Sequence, residues 1–147
     1  MTDTARVLVV ANRTAESPEL LAALKTRAGE GGAEFTLLLP ATPHGLAWAA
    51  DMHAGEEDAK GHLEGLAERM RKEGVDVREA KVGASEPLAA VADESNFADY
   101  DELIVSTLPL HVSKWLHVDL PRKAAAATGL PVTHVVAHSA DKAAAET

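Results

Sequence analysis

The chain has 147 residues, the size of one ordinary domain and enough to bury a full core. Its 14 Lys and Arg against 23 Asp and Glu leave a formal net charge of −9, which repels phosphate backbones and argues against nonspecific nucleic-acid binding. The absence of cysteine excludes disulfides, thiol catalysis and thiolate metal sites, and the 3% aromatic content asks for closely spaced helices on a sheet of Val, Ile and Leu.

Arg6-Val-Leu-Val-Val-Ala11 is a continuous apolar run rich in β-branched residues and bounded by Asn12-Arg13-Thr14. It reads as a central parallel strand buried on both faces. Ser17-Pro18-Glu19 supplies a hydroxyl cap, a first-turn proline and an acid for a helix. Leu20, Leu21, Leu24 and Ala28 recur at helical spacing, and Gly29 to Gly32 closes the helix. Phe35-Thr-Leu-Leu-Leu39 is the second strand, stopped by Pro40, and an irregular stretch from Ala41 to Ala54 follows.

Glu56 to Glu73 sets Leu63, Leu66, Ala67 and Met70 on one stripe of an amphipathic helix that ends at Gly74. Val75 to Val82 alternates apolar with charged residues, as an edge strand with one solvated face does. Ser85-Glu86-Pro87 opens a third helix through Leu88, Val91 and Ala92. Leu103-Ile-Val-Ser106 is the fourth strand, Asp119-Leu120-Pro121 opens a fourth helix with Asp119 as its N-cap, and Gly129 ends it. Pro131 to Ala137 is the fifth strand, with a frayed tail expected over about 138–147.

Strict β-α alternation without a linker predicts one domain over residues 1–147: an α/β, Rossmann-like parallel sheet with helices on both faces. Ligands in such folds bind at the carboxyl ends of the strands. The polar loop of about a dozen residues after the fourth strand therefore marks the expected site. The first residues enter a strand at once, and no segment approaches the roughly 20 apolar residues of a membrane span. A cytoplasmic protein with no membrane contact is expected.

Three stretches resemble a known family: Val9-Val-Ala-Asn12 at the end of the first strand, Val82-Gly-Ala-Ser-Glu-Pro-Leu-Ala-Ala-Val91 at the start of the third helix, and Asp101-Glu-Leu-Ile-Val105 with Gly129-Leu-Pro-Val-Thr-His-Val135. Over Arg6 to Ala137 the chain is similar to the universal stress proteins, of the adenine-nucleotide alpha-hydrolase-like (HUP) fold. The resemblance implies five parallel strands in the order 3-2-1-4-5, with the ligand between the first and fourth. It also implies a homodimer that pairs the last strand across a two-fold axis, near Val132, His134 and Val136. An uncovered terminal strand offers the unpaired backbone groups such pairing needs.

The family's nucleotide binders carry G-x2-G-x9-G-[ST] after the fourth strand, where glycines let backbone N–H groups approach phosphates. Here the three glycine positions fall on Ser106, Pro109 and Asp119, and the final hydroxyl on Leu120. Pro109 has no N–H to donate, and Asp119 sets a carboxylate where a triphosphate would lie. The family's acidic residue at the end of the first strand is Asn12. This divergence argues against carrying ATP binding over with the motif.

The candidate ligand site comprises Ala11, Asn12, Arg13, Leu39, Pro40, Ser106, Thr107, His111, Ser113 and Lys114. The hydroxyls of Ser106 and Thr107 suit a polar or anionic group, and equally suit local bonds to the turn. Arg13 and Lys114 offer positive charge at the switch point, or are solvated surface charges. Trp48 and Trp115 could stack on a base, but loop anchors of this kind more often pack on the core. No pair of the seven histidines has the spacing of H-E-x-x-H, so no metal is expected. No nucleophile with an identifiable base stands out, so no catalytic residue is assigned. The leading expectation is a stress-protein-like module that binds a small ligand or a partner without catalysis. Its competitors are an adenine-nucleotide (ATP or AMP) binder with altered phosphate contacts, and a small hydrolase or transferase using the same crevice.

Overall fold

The computed structural model describes residues 4–11, 17–40, 56–83, 87–107 and 119–136. Along them run β1 (Ala5–Val10), α1 (Pro18–Gly29), β2 (Ala33–Pro40), α2 (Glu56–Lys72), β3 (Val77–Gly83), α3 (Pro87–Phe97), β4 (Glu102–Thr107), α4 (Leu120–Thr128) and β5 (Val132–Val136). The strands form one parallel sheet in the order β3-β2-β1-β4-β5, as the resemblance implies. β1 lies at its centre, with Val9 paired to Leu37 on one side and Ile104 on the other.

Alternation along each strand sends side chains to two helical layers. Val7, Val9, Phe35, Leu37 and Ile104 pack with Leu20 and Leu24 of α1 and Leu63, Leu66 and Met70 of α2. On the other face, Leu8, Val10, Leu38, Leu103 and Val105 pack with Ala90 and Val91 of α3 and Leu120 and Ala124 of α4. Each fully buried leucine or phenylalanine contributes about 1.5–3 kcal/mol, so the central run of β1, buried on both faces, anchors the fold.

The local signals act as read, with instructive exceptions. Ser17 caps α1 by accepting the Leu20 N–H at 3.1 Å from an extended backbone (φ −71, ψ 144). Gly129 closes α4 in the left-handed region, with φ 72 and its N–H bonded to the Ala125 carbonyl at 2.8 Å. β2 begins before its apolar run, because Ala33 and Glu34 pair with Ala5 and Arg6, and it includes Pro40, which pairs with Gly83. β3 begins at Val77 rather than Val75, whose N–H instead bonds the Met70 carbonyl at the end of α2 at 3.0 Å.

β3 is an edge strand, but its alternation breaks. Phe35 pairs with Val77 and Thr36 with Glu79, so Arg78 is an extra residue in a bulge. The apolar positions change phase there, from Val75 and Val77 to Ala80 and Val82. Farther along, α3 packs so closely that a Cβ at Gly83 would lie 2.8 Å from Leu38 Cδ1 and 3.0 Å from Ala90 Cβ.

The amino end of the sheet is closed by ion pairs. Arg27 grips Glu102 through two N–H donors at 2.7 and 3.1 Å, and Glu34 forms ion pairs with both Arg6 and Arg78. The hydrogen bond from Arg27 to Glu102 raises the guanidinium pKa, outweighing a partial desolvation. No described helix is long and apolar enough to cross a membrane.

Candidate functional site

From β1 the chain moves outward on one side through β2 and β3, then returns to lay β4 and β5 on the other. Connections on the two sides diverge at β1 and β4, which makes their carboxyl ends the switch point of a doubly wound sheet. Val10 pairs with Val105, so one residue further along stand Ala11 and Ser106. Ala11 extends the ladder toward β2 by donating its N–H to the Leu38 carbonyl at 3.2 Å.

Ala11, Leu39, Pro40, Ser106 and Thr107 of the expected site therefore gather at one end of three adjacent strands. Leu39, Ala11 and, by alternation from Ile104, Ser106 lie on the α1/α2 side, while Thr107 follows Val105 to the α3/α4 side. Ala11, Leu39 and Ser106 are fully buried, and Thr107 is 1% exposed. Together they form a buried apolar strip ending in neutral hydroxyls. Asn12, Arg13, His111, Ser113 and Lys114 lie outside the described residues, as do Trp48, Trp115 and most of the loop after β4.

Thr107 has a partner that the sequence reading assigned to a different role. Its Oγ1 lies 2.8 Å from Nε2 of His134, on β5. The register pairs Val105 with His134, so Thr107 and His134 are diagonal neighbours on the same face. Desolvation lowers the imidazole pKa below its ordinary value. No local pattern announces this pair; it needs the register of two strands.

Asp119 starts α4 as expected, but does not cap it in the expected way. Its backbone is left-handed (φ 55, ψ 48), and its side chain makes no capping hydrogen bond. A capping side chain folds back onto the first-turn N–H groups from an extended backbone, and the left-handed turn removes that geometry. The carboxylate instead lies 3.7 Å from Arg122 Nη1, while the Asp119 carbonyl accepts the Lys123 N–H at 3.0 Å. Asp119 is the only described non-glycine residue with positive φ. The resemblance sets a glycine at this position, and the backbone keeps the shape that glycine favours.

A second polar cluster, missed in the sequence, sits under α3 near the β3 edge. Lys81 Nζ lies 3.1 Å from Glu94 Oε2 and 3.4 Å from Glu79, and Tyr100 donates its hydroxyl to Glu94. Glu94 and Tyr100 are each 8% exposed. Burial, then the hydrogen bond to Glu94, holds the Tyr100 phenol well above the ordinary range, despite an opposing hydrogen bond from Thr36. At Lys81 desolvation is the largest influence and acts downward, but bonds and charge from Glu94 and Glu79 together raise its pKa. Lys81 also lies 4.4 Å from the ring centre of Phe97, which is 76% exposed. Among the described residues, no three His, Asp or Glu side chains form a group able to hold a metal ion.

Sheet order, layering and switch point together define an open, doubly wound, all-parallel α/β fold. Among solved structures that share this architecture are universal stress proteins, and the chain is similar to them in fold. A universal stress protein in complex with cAMP is 18% identical, with a TM-score of 0.58, over 92% of this chain and 99% of that one. A universal stress protein family protein from Arabidopsis thaliana with AMP bound is 15% identical, with a TM-score of 0.59, over 93% and 94%. The universal stress protein from Archaeoglobus fulgidus in complex with dAMP is 18% identical, with a TM-score of 0.56, over 92% and 99%. No protein-family model and no curated protein sequence matches the chain.

Proposed function

We propose that the chain binds an adenine nucleotide at the carboxyl ends of β1 and β4 and acts as a binding module rather than a catalyst. The observation that carries this reading is the buried strip of Leu39, Ala11 and Ser106 at the switch point, beside the Thr107 hydroxyl. Small apolar side chains at strand ends suit the flat face of a base, and hydroxyls suit a ribose or phosphate oxygen. Support also comes from fold neighbours that hold cAMP, AMP and dAMP.

The left-handed Asp119 narrows the ligand. Its backbone has the glycine shape, but its carboxylate opposes a long polyphosphate. AMP and cAMP should therefore bind more tightly than ATP, the reverse of a glycine-lined phosphate loop. Calorimetric titration with the three nucleotides tests this. Saturable AMP or cAMP binding with weaker ATP binding is expected. No binding of any of them at about 1 mM, a free energy of only about −4 kcal/mol, would remove the nucleotide reading.

The same reading includes a homodimer through β5. Its sequence Val-Thr-His-Val-Val has no Lys, Arg, Asp or Glu, and Thr133 and His134 are exposed. The opposite edge, β3, is guarded by Arg78, Glu79, Lys81 and a bulge, devices that discourage strand addition. Light scattering at tens of micromolar, on the order of a modest dimer's dissociation constant, should report a dimer in the wild type and a monomer in Thr133→Lys. A wild-type monomer would count against β5 pairing.

A further inference from the structure

We infer that His134 is a positioning residue of the β1–β4 crevice, deciding through its ring whether Thr107 presents a proton or only lone pairs to an anionic ligand. The inference rests on the nucleotide reading above and adds to it the proton-linked control of one contact. Thr107 ends β4, is 1% exposed, and has its Oγ1 2.8 Å from His134 Nε2. A hydroxyl has one proton, so what it gives to the ring it cannot give to a ligand.

With the ring neutral and its proton on Nδ1, Nε2 accepts from Thr107, and the threonine oxygen offers a phosphate only lone pairs. That contact is repulsive. With the ring protonated, both nitrogens donate, and Nε2 gives its proton to Thr107 Oγ1. The hydroxyl proton is then released for a phosphate oxygen, and an imidazolium adds positive charge to a chain of net charge −9. Where the neutral ring carries its proton on Nδ1, anion affinity therefore rises as His134 gains a proton.

Among the described residues, the groups packed against β5 leave this proton to the Thr107 contact; the end of α1, on the opposite face, brings Arg27 and Glu30 near Thr133, and Arg27 is paired with Glu102. On the His134 face stand Leu103 and Val105 of β4 and Val132 of β5, and α4 covers that face with Leu120 and Ala124. None of these titrates. The charged residues of α4 are Arg122 and Lys123, both exposed, and Arg122 is paired with Asp119. Among the described residues no charged partner contributes to the lowered imidazole pKa, whose cause is desolvation by burial.

cAMP is the suitable probe, because its phosphodiester keeps one charge where the AMP phosphate itself titrates near pH 6. Calorimetric titrations from about pH 5 to about pH 8 span the imidazole transition. Wild-type affinity for cAMP should rise about three- to tenfold toward acid, the range expected for one hydrogen bond made or lost. His134→Gln should bind cAMP with that added acid dependence gone, and Thr107→Val should lose it as well. Reciprocity gives a test that needs no variant: saturating cAMP should raise the His134 pKa in the wild type by about 0.5–1 unit, read by ring nitrogen NMR. An identical pH profile in wild type and His134→Gln, or an unmoved His134 pKa, overturns this inference while the nucleotide reading stands. No cAMP binding by the wild type at any pH overturns this inference, and if AMP and ATP also fail to bind, the nucleotide reading falls with it.

Discussion

The two faces of the sheet are closed by different chemistry. Toward α1 and α2 the cover is Leu20, Leu24, Leu63, Leu66 and Met70 over Phe35, Leu37 and Leu39, all buried. Toward α3 and α4 the helices bring mainly Ala90, Val91, Leu120 and Ala124, and polar groups fill positions at the margins. Lys81, Glu94 and Tyr100 lie near one edge of that face, and Thr107 and His134 near the other. Large apolar side chains on one side supply stability that smaller ones on the other do not. The thinner face is where hydrogen-bonded, titratable groups can be held without disrupting the core.

The largest expected effect tests the apolar face. Phe35→Ala should lower unfolding free energy by about 3–5 kcal/mol in urea, from lost burial and the cavity left behind. Val91→Ala on the opposite face should cost only about 2 kcal/mol. Equal costs would break the comparison. Glu94→Gln comes next, at about 2 kcal/mol, because Lys81 and Tyr100 then lose a carboxylate acceptor in a partly buried setting.

Two pH limits sharpen the contrast further, and both belong to the α3/α4 face. The folded chain holds the Tyr100 proton more tightly than the unfolded chain does. Its stability contribution is therefore intact below the unfolded phenol pKa of about 10 and falls as pH rises above it. Tyr100→Phe should remove that alkaline loss, measured as the denaturation midpoint against pH. His134 has the opposite sign. Its folded pKa is lowered, so on acidification the unfolded chain takes the proton first, and stability intact above about pH 6.5 falls below it. His134→Gln should flatten that part of the acid slope, and an unchanged slope would count against a desolvated ring. The smallest effect is Phe97→Ala, about 0.5–1 kcal/mol, because the ring is exposed and engages Lys81 at the surface.

The ends of the expected site were legible to different degrees. Ser106 and Thr107 follow a β-branched run directly, so their place at a strand end can be read from neighbouring residues. The pairing of Thr107 with His134 cannot, because 27 residues and a whole helix separate them. Glu94 and Lys81 likewise come from the third helix and a charged edge strand. Only the crossing of α3 over β3 makes them partners. Asp119 is the instructive intermediate: its place before the helix was plain, but its left-handed backbone was not.

The regular alternation read over residues 75–82 gave way to a bulge at Arg78, whereas residues 17–20 and 129 show what sequence alone determined about this protein: where helices start and stop. Those features depend on interactions within about one helical turn, so the residues themselves contain the information. Tertiary structure decided which strands are neighbours, and through their register the Thr107–His134 contact, the buried strip at Ala11 and the Lys81–Glu94–Tyr100 cluster. The physical reason is that a one-residue shift in register turns every side chain of a strand to the other face, so cross-strand chemistry exists only once the whole sheet is assembled.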